Sequence, residues 1–357
     1  MSPRVGSQQG GRRPQKSRNP IGFALLVVGG SIVGAIAGAT LSPWPGALLI
    51  RGLFGIDTRR VERALENHHP GGIAIVEDEI YQPGDPDAKL DVYFPASTPT
   101  AVCLPTLVWT HGGAWLSGDK LNNRGYFALL ASHGYAVVAL NYSLAPGSNY
   151  PTPIYQVNAA LDYLLQNSER LHIDQGRLML AGDSAGAQIS SQVALLVTSP
   201  LYARDLGVLP ALTVDQLRGV IFYCGFYDMR SFIDGGRLAP IPVLDWGIRT
   251  MVRAYAGSRA LDSAHLRQMS TIDHVTEEFP PTFLSGGNGD PLTDSQSRPM
   301  AEKLRGLGVS VATLFYAEDH RPELPHEYQF NLDGTDGQKA LTTMLNFMDR
   351  CTAVFRD

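Results

Sequence analysis

Residues 178–186 read LMLAGDSAG: an apolar run, a turn of small residues around Ser184, and the start of a second apolar run. The first run has the length of a buried strand, and the second continues with helical spacing. The turn carries the pattern G-x-S-x-G, in which Gly182 and Gly186 permit a bend too tight for bulkier neighbours and leave the serine exposed at its tip. This context indicates a nucleophilic serine; the alternative interpretation is an ordinary glycine-rich turn.

Short apolar runs bounded by Gly, Pro or Asp recur along the chain and alternate with helical patterns. The predicted strands are 72–81, 90–94, 106–110, 135–141, 177–181, 217–223, 282–285 and 310–316. The predicted helices lie near 123–133, 153–168, 186–198, 241–257, 296–307 and 337–354. This alternation predicts an α/β fold with a mostly parallel central sheet of about eight strands and helices on both faces. Such sheets bind ligands at the carboxyl ends of their strands, so a site is expected in the loops that follow strands.

The loop after the predicted strand 106–110 reads HGGAW. Glycines allow a backbone to approach a reacting carbonyl closely. The N–H groups of Gly112 and Gly113 are therefore predicted to face a developing oxyanion, together with the N–H of Ala185. His111, the first residue of this loop, is interpreted as a brace for the loop rather than as a base.

Two later loops supply candidates for an acid and a base. Asp290 follows the predicted strand 282–285 and is the favoured acid, whereas Asp294 is better explained as the cap of the next helix. Of the nine histidines, only His320 and His326 follow the last predicted strand. His326 is the favoured base because the aromatic residues after it can anchor its loop; His320, in a more charged segment, is the alternative. The chain order serine, aspartate, histidine is that of one group of serine hydrolases.

The chain carries six short motifs in order: LDVYFP at 90–95, HGGAW at 111–115, SGDK at 117–120, NYSLAP at 141–146, GDSAG at 182–186 and GDPL at 289–292. As a set they resemble the α/β-hydrolase superfamily, and within it the carboxylesterases related to hormone-sensitive lipase and to acetyl-xylan and feruloyl esterases. Two features depart from the pattern. Ala114 replaces the third glycine of the frequent HGGG form, and NYSLAP lacks the arginine common in the lipase-like branch.

The resemblance implies an α/β-hydrolase catalytic domain over residues 72–357, with a cap insertion near 225–275. It also implies a serine carboxylic-ester hydrolase that acts on small or short-acyl esters through an acyl-enzyme and that needs neither a metal nor an organic cofactor. A serine peptidase or an acyltransferase on the same fold is the first alternative. An inactive hydrolase-fold module that binds a partner is the second.

Composition narrows the class of protein. Hydrophobic residues make up 44% of the 357 residues and charged residues 18%, so a large core can form and a disordered chain is excluded. The net charge of −5 argues against nucleic-acid binding. Cys103, Cys224 and Cys351 are too widely spaced for a zinc motif and are odd in number, so they are interpreted as free thiols.

The first part of the chain has a different character. Residues 1–20 form a basic tail, and Ile21–Leu41 is a run of 21 residues without a charge, about 31 Å long as a helix. The sequence therefore predicts a single-pass transmembrane helix with the N-terminus in the cytoplasm and the catalytic domain outside it. The segment 42–71 is expected to be juxtamembrane or part of a lid.

Other interpretations of this region stay open. A cleaved signal peptide would use the small residues 37–39 as its cleavage site, and a cytoplasmic enzyme would use the run as a core helix. Gly30, Gly34 and Gly38 are spaced as in helix-pairing motifs, which suggests a homodimer.

Overall fold

We analysed a computed structural model of the chain, which describes residues 42–232 and 242–353. The strands are β1 Ile73–Ile80, β2 Lys89–Pro95, β3 Leu104–Thr110, β4 Ala136–Leu140, β5 Ile173–Asp183, β6 Leu217–Tyr223, β7 Thr282–Gly286 and β8 Val311–Phe315. The helices are α1 Trp44–Glu66, α2 Arg124–Ser132, α3 Thr152–Gln166, α4 Ala185–Thr198, α5 Pro200–Leu206, α6 Pro242–Ala256, α7 Ser263–Gln268, α8 Arg298–Gly306 and α9 Thr335–Thr352.

The eight strands form one sheet in the order β1-β2-β4-β3-β5-β6-β7-β8. The pairs β1–β2 and β2–β4 are antiparallel, and the strands from β4 through β3 to β8 are parallel. All carboxyl ends of the parallel strands therefore lie at the same edge, where the loops after β3, β5, β6, β7 and β8 meet. The predicted mostly parallel sheet of about eight strands is confirmed.

Alternation of side chains along each strand divides the core into two layers. In β3, Leu107 and Trp109 belong to the layer that contains α2 and α9, whereas Val108 belongs to the layer that contains α3 and α4. Both faces of the central strands are covered, which explains why these strands are continuous apolar runs in the sequence.

Helix α4 is enclosed on every side, since all fourteen of its residues are buried. Its polar residues are paired within the core: Ser190 donates from Oγ to the carbonyl of Ala181 at 2.8 Å and lies 3.0 Å from the Thr110 hydroxyl. A helix fixed this firmly against β5 gives the turn between them a rigid base.

Sequence and structure differ mainly in the short helices. Helices α5 and α7 were not predicted, because six or seven residues give too little periodicity. The apolar segment 44–56 proves to be part of α1, which continues to Glu66 and packs against α2 and α6.

The predicted membrane span, residues 21–41, lies outside the described residues. Within the part of the chain that the structure describes, no helix combines the length and the apolar character needed to cross a bilayer.

Candidate active site

Ser184 stands at the turn between β5 and α4 with a backbone φ of +51°. Its N–H donates to the carbonyl of Tyr223 at 2.7 Å, which fixes the turn to the neighbouring strand. A Cβ atom placed on Gly186 would lie 2.0 Å from the carbonyl oxygen of Thr110, so only glycine fits there. The predicted strand–turn–helix context of the GDSAG motif is therefore present, and the Ser184 side chain is held at the carboxyl edge of the sheet.

Three predicted side chains meet in one hydrogen-bonded chain. His326 Nε2 lies 3.0 Å from Ser184 Oγ, and His326 Nδ1 lies 2.8 Å from Asp290 Oδ2. Asp290 comes from the loop after β7 and His326 from the loop after β8. The order of contacts is the one that a nucleophile, a base and an orienting acid require.

His326 and Asp290, the two ionisable residues of this hydrogen-bonded group, shift each other's pKa. Burial alone would lower the pKa of His326, but the charge of Asp290 and the hydrogen bond that Asp290 accepts from the ring outweigh burial and raise the pKa well above 6.5. Burial alone would raise the pKa of Asp290, yet the His326 imidazolium and its hydrogen bond hold this pKa below its usual value. The Asp290 carboxyl is therefore ionised at neutral pH and stabilises a proton on His326.

His320 and Asp294, the alternative base and the alternative acid, are bonded to other residues. His320 Nε2 lies 3.0 Å from Asp336 Oδ2, and its ring packs on Tyr316. Asp294 accepts a hydrogen bond from Arg298 Nε at 2.7 Å. Neither is part of the hydrogen-bonded chain at Ser184.

In the HGGAW loop, the backbone N–H of Gly112 does not have the role that the sequence predicts. The N–H of Gly112 donates to Asp183 Oδ2 at 2.8 Å, so it already has a partner and does not face a reacting group. The prediction of Gly112 as an oxyanion donor is wrong for this arrangement, because a buried carboxylate occupies that N–H. The N–H groups of Gly113 and Ala114, and that of Ala185 at the start of α4, have no acceptor among the described residues.

The same loop has an unusual backbone. Gly113 has a φ of +99° and Ala114 a φ of +56°. His111 braces the loop: its ring stacks on Tyr142, and its Nδ1 lies 2.8 Å from the Gly112 carbonyl. Burial lowers the pKa of His111 to about 4, so the ring is neutral at the pH of any ordinary assay.

Three motifs quoted in the sequence analysis meet beneath this loop. Lys120, of SGDK, donates from Nζ to Asp91 Oδ1, of LDVYFP, at 2.6 Å, and both side chains are buried. The backbone N–H of Lys120 donates to the Oδ1 of Asn141, of NYSLAP. Asp78 lies 3.2 Å from the Lys120 ammonium. This network ties the loop after β3 to the antiparallel edge of the sheet.

A cavity of about 180 Å³ opens at the Ser184 side chain. Its lining is both polar and apolar and comes mostly from the loops after β3, β5 and β8: Val61, His111, Gly112, Gly113, Ala114, Ser117, Gly118, Asn122, Asn123, Asp183, Ser184, His326 and Glu327. Helix α1 contributes Val61, so the segment predicted as juxtamembrane or lid reaches the site. Among the described residues of the predicted cap, 225–275, none lines this cavity.

Sequence reasoning missed two carboxyl groups of this cavity, Asp183 and Glu327. Each stands next to a predicted site residue, Asp183 before Ser184 and Glu327 after His326. That adjacency was the only signal in the sequence.

Three side chains near Ser184 carry atoms of the kinds that can bind a metal ion. Atoms of Cys224, Asp290 and His326 all lie within 4.8 Å of one another. Burial raises the pKa of the Cys224 thiol to about 11, so it is protonated near neutral pH and a weak ligand. The aspartate and the histidine already bond to each other, and the donor set therefore suits the hydrogen-bonded chain better than an ion.

Comparisons with known proteins agree with this fold. The chain resembles Esterase B from Lactobacillus rhamnosis (HN001), with a TM-score of 0.74, 23% identity and coverage of 87% of this chain and 96% of that one. It also resembles a bacterial heroin esterase, with a TM-score of 0.67, 23% identity and coverage of 85% and 91%. These similarities define an α/β-hydrolase fold.

Sequence comparison gives a finer assignment. Residues 90–304 match the BD-FAE family, and since this is more than half of the chain, the protein belongs to that family. It is 29% identical over 279 residues to Esterase LipC of Mycobacterium tuberculosis and 26% identical over 219 residues to an esterase of Gibberella moniliformis. The aligned regions cover 76% and 59% of this chain but 65% and 64% of those relatives.

Substitution Lys120→Met should lower the free energy of unfolding by about 3–5 kcal/mol, because it leaves the Asp91 carboxylate buried without its cation. The double variant Asp91→Asn with Lys120→Met should regain most of this loss, since neither charge remains. Denaturant unfolding of the three proteins measures both effects. Lys303→Met, at an exposed position on α8, is the matched control. A loss in the double variant as large as in Lys120→Met would contradict the account.

Proposed function

We propose that this protein is a serine carboxylic-ester hydrolase that works through an acyl-enzyme. The observation that carries the proposal is the series of hydrogen bonds from Ser184 through His326 to Asp290. It lies at a cavity where backbone N–H groups have no acceptor among the residues that the structure describes. The names of the two relatives, both esterases, support ester hydrolysis rather than another reaction of the fold.

In the proposed mechanism His326 takes the proton of Ser184 at Nε2 while Oγ attacks the ester carbonyl. Asp290 keeps Nδ1 protonated, which orients the ring and stabilises its cation. The protonated His326 then gives the proton to the leaving alcohol, and an acyl-serine is formed. Water, activated by His326 in the same way, releases the acid.

The oxyanion of each tetrahedral intermediate needs donors that are free before the reaction begins. Since the Gly112 N–H is bonded to Asp183, we assign this role to the next two N–H groups of the loop, Gly113 and Ala114, with Ala185. The positive φ of Ala114 gives the loop the turn that glycine provides in the more common HGGG form.

The substrate proposed is a small or short-acyl ester. The cavity at Ser184 has a volume of only about 180 Å³, and its lining combines polar residues such as Asn122 and Asn123 with apolar ones such as Val61. A long alkyl chain would exceed this volume. A peptidase or an acyltransferase would use the same serine, and a direct comparison of ester, amide and acyl-acceptor substrates separates the three.

We also propose that the protein is anchored in a membrane by Ile21–Leu41, with its catalytic domain outside the cytoplasm. The support is the uncharged run itself and the basic residues before it. Helix α1, which begins three residues after this run, carries the exposed apolar side chains Trp44, Leu48 and Leu49 at its N-terminal end. Such side chains suit the interface of a bilayer. Pairing of the glycine-bearing helices into a homodimer stays a prediction.

Substitution Ser184→Ala should lower kcat/KM for p-nitrophenyl acetate by roughly 10⁴-fold or more and abolish labelling by a fluorophosphonate, because the nucleophile is removed. His326→Ala should lower kcat/KM to a similar extent. His320→Ala is the matched control and should keep activity, since His320 is bonded to Asp336. Labelling that persists in Ser184→Ala would assign the nucleophile to another residue.

The rate should also depend on pH through His326. The base acts only after it loses its proton, and its pKa lies above 6.5 because Asp290 stabilises the cation. We therefore expect kcat/KM to rise with pH through a midpoint above 6.5, and Asp290→Asn to move this midpoint to lower pH while reducing the rate. Initial rates across the acidic and neutral range measure both. An unchanged midpoint in Asp290→Asn would contradict the pairing.

Membrane anchoring predicts that the full chain stays with the membrane pellet after carbonate extraction. The double variant Val33→Arg with Ile36→Arg should be released, because each arginine costs about 2.5–3.5 kcal/mol at the centre of a span. Leu209→Arg, at an exposed position of the catalytic domain, is the control and should remain in the pellet. Release of the unmodified chain would contradict the anchor, and a mature N-terminus just after residue 39 would favour the cleaved signal instead.

A further inference from the structure

Asp183, the last residue of β5, is a buried carboxyl with fixed partners. It is 3% exposed and accepts two hydrogen bonds. Trp109 donates from Nε1 to its Oδ1 at 2.7 Å, and the N–H of Gly112 donates to its Oδ2 at 2.8 Å. Asp183 therefore joins the core of the sheet to the loop that carries the proposed oxyanion donors.

A second carboxyl, that of Glu327, meets Asp183 at this loop. A Cβ atom placed on Gly112 would lie 2.1 Å from Asp183 Oδ2 and 3.0 Å from Glu327 Oε1, so both carboxyl oxygens lie next to the same glycine. The two carboxyls influence each other, since the charge of Asp183 raises the pKa of Glu327. Two neighbouring carboxyls do not both ionise readily, and a proton on one of them lets it donate a hydrogen bond to the other, because an ionised carboxylate only accepts.

The proton belongs on Glu327. Burial raises the pKa of Asp183 too, but Asp183 accepts hydrogen bonds from two N–H groups, which stabilise its charge. Burial and then the charge of Asp183 raise the pKa of Glu327 to about 8, although the nearby His326 acts in the opposite direction. Asp290 adds a further negative charge on the same side.

The remaining ionisable groups around Glu327 are neutral near pH 7. Its N–H donates to Cys224 Sγ at 3.3 Å, and the pKa of that thiol is raised to about 11 by burial. His111, which lines the same cavity, has its pKa lowered to about 4. Of Cys224, His111 and Glu327, Glu327 is therefore the one whose pKa lies in the mildly alkaline range. His326, whose pKa is raised well above 6.5, governs the rise of the rate on the acidic side.

We propose that protonated Glu327 is a positioning residue, which donates to Asp183 and so holds Gly112 and the N–H groups after it in place, and that its ionisation switches the site off. This proposal rests on the proposed esterase function. Glu327 is 32% exposed in its side chain, and its Oε1 lies 3.7 Å from His326 Nε2. In the proposal, Glu327 contacts Asp183 while it is protonated and turns away from Asp183 into the cavity once it is ionised.

The sign of the effect follows from charge. Loss of the Glu327 proton puts a second carboxylate beside Asp183, close to the place where negative charge develops on the substrate. The donor contact to Asp183 is lost at the same time. Both changes raise the energy of the transition state more than that of the bound substrate. We therefore expect kcat and kcat/KM to fall together while KM stays nearly constant.

The test is the pH dependence of p-nitrophenyl acetate hydrolysis from pH 6 to 10, read at the isosbestic wavelength of the product. The wild-type rate should fall on the alkaline side with a midpoint near pH 8. Glu327→Gln keeps a donor for Asp183 but cannot ionise, so it should retain most of the rate at pH 7 and lose the alkaline fall. Glu327→Ala has no donor, and its kcat should be lower by about tenfold at every pH.

Glu323→Gln is the matched control, since Glu323 is an exposed glutamate of the same loop, and it should keep the wild-type profile. Active-site titration with a fluorophosphonate corrects each rate for the fraction of folded enzyme. An alkaline fall that persists unchanged in Glu327→Gln, or a wild-type rate that stays level to pH 10, would overturn the proposal. Ser184→Ala would remain inactive in either case, so failure here is distinguishable from failure of the esterase function.

Discussion

The site depends on the close packing of three backbone segments: the turn that carries Ser184, the end of β3 at Thr110 and the end of β6 at Tyr223. The φ of +51° at this residue is a conformation that a non-glycine residue adopts at an expense of about 1–3 kcal/mol, and it persists only when its surroundings enforce it. Here the Ser184 N–H is bonded to the neighbouring strand, and Gly186 lies against the carbonyl of Thr110. Because α4 is buried on all sides, the turn cannot relax without disturbing the core. The serine hydroxyl is consequently presented in one place before any substrate arrives.

The loops that meet this hydroxyl could be predicted because the sheet is parallel. Strands buried on both faces are apolar runs, and the residues that follow them in the chain share one edge in space. This rule, together with the G-x-S-x-G pattern at Ser184 and the aromatic residues after His326, led to Ser184, Asp290 and His326 as candidates, although 142 positions separate the serine from the histidine. The choice between the two late histidines needed coordinates, since only the partner of His320, Asp336 on α9, reveals that it is engaged elsewhere.

Other features had no periodic signal. The N–H of Gly112 is taken by Asp183, a contact between residues 71 positions apart that no spacing rule describes. The pairing of Lys120 with Asp91 is of the same kind, although both motifs were recognised separately. Helix α1 was anticipated only as an apolar segment, because its docking on α2 and α6 depends on the complementary surfaces of three helices. The sequence therefore supports the order of the elements and the groups after the strands, and the structure supplies their hydrogen-bond partners.

Three carboxyl groups surround one histidine in this site, and their environments separate their protonation states. Asp290 is ionised because His326 pairs with it. Burial raises the pKa of Asp183, but N–H groups of Trp109 and Gly112 bond to both of its oxygens and stabilise its charge. For Glu327, burial and the charge of Asp183 outweigh the effect of the nearby His326, so this acid keeps its proton longest. Acids with pKa values pushed apart in this way take different roles within one small volume. A site that works with only one distribution of protons is active over a limited range of pH. Under the proposed mechanism, the histidine sets the lower limit of that range and the glutamic acid the upper limit.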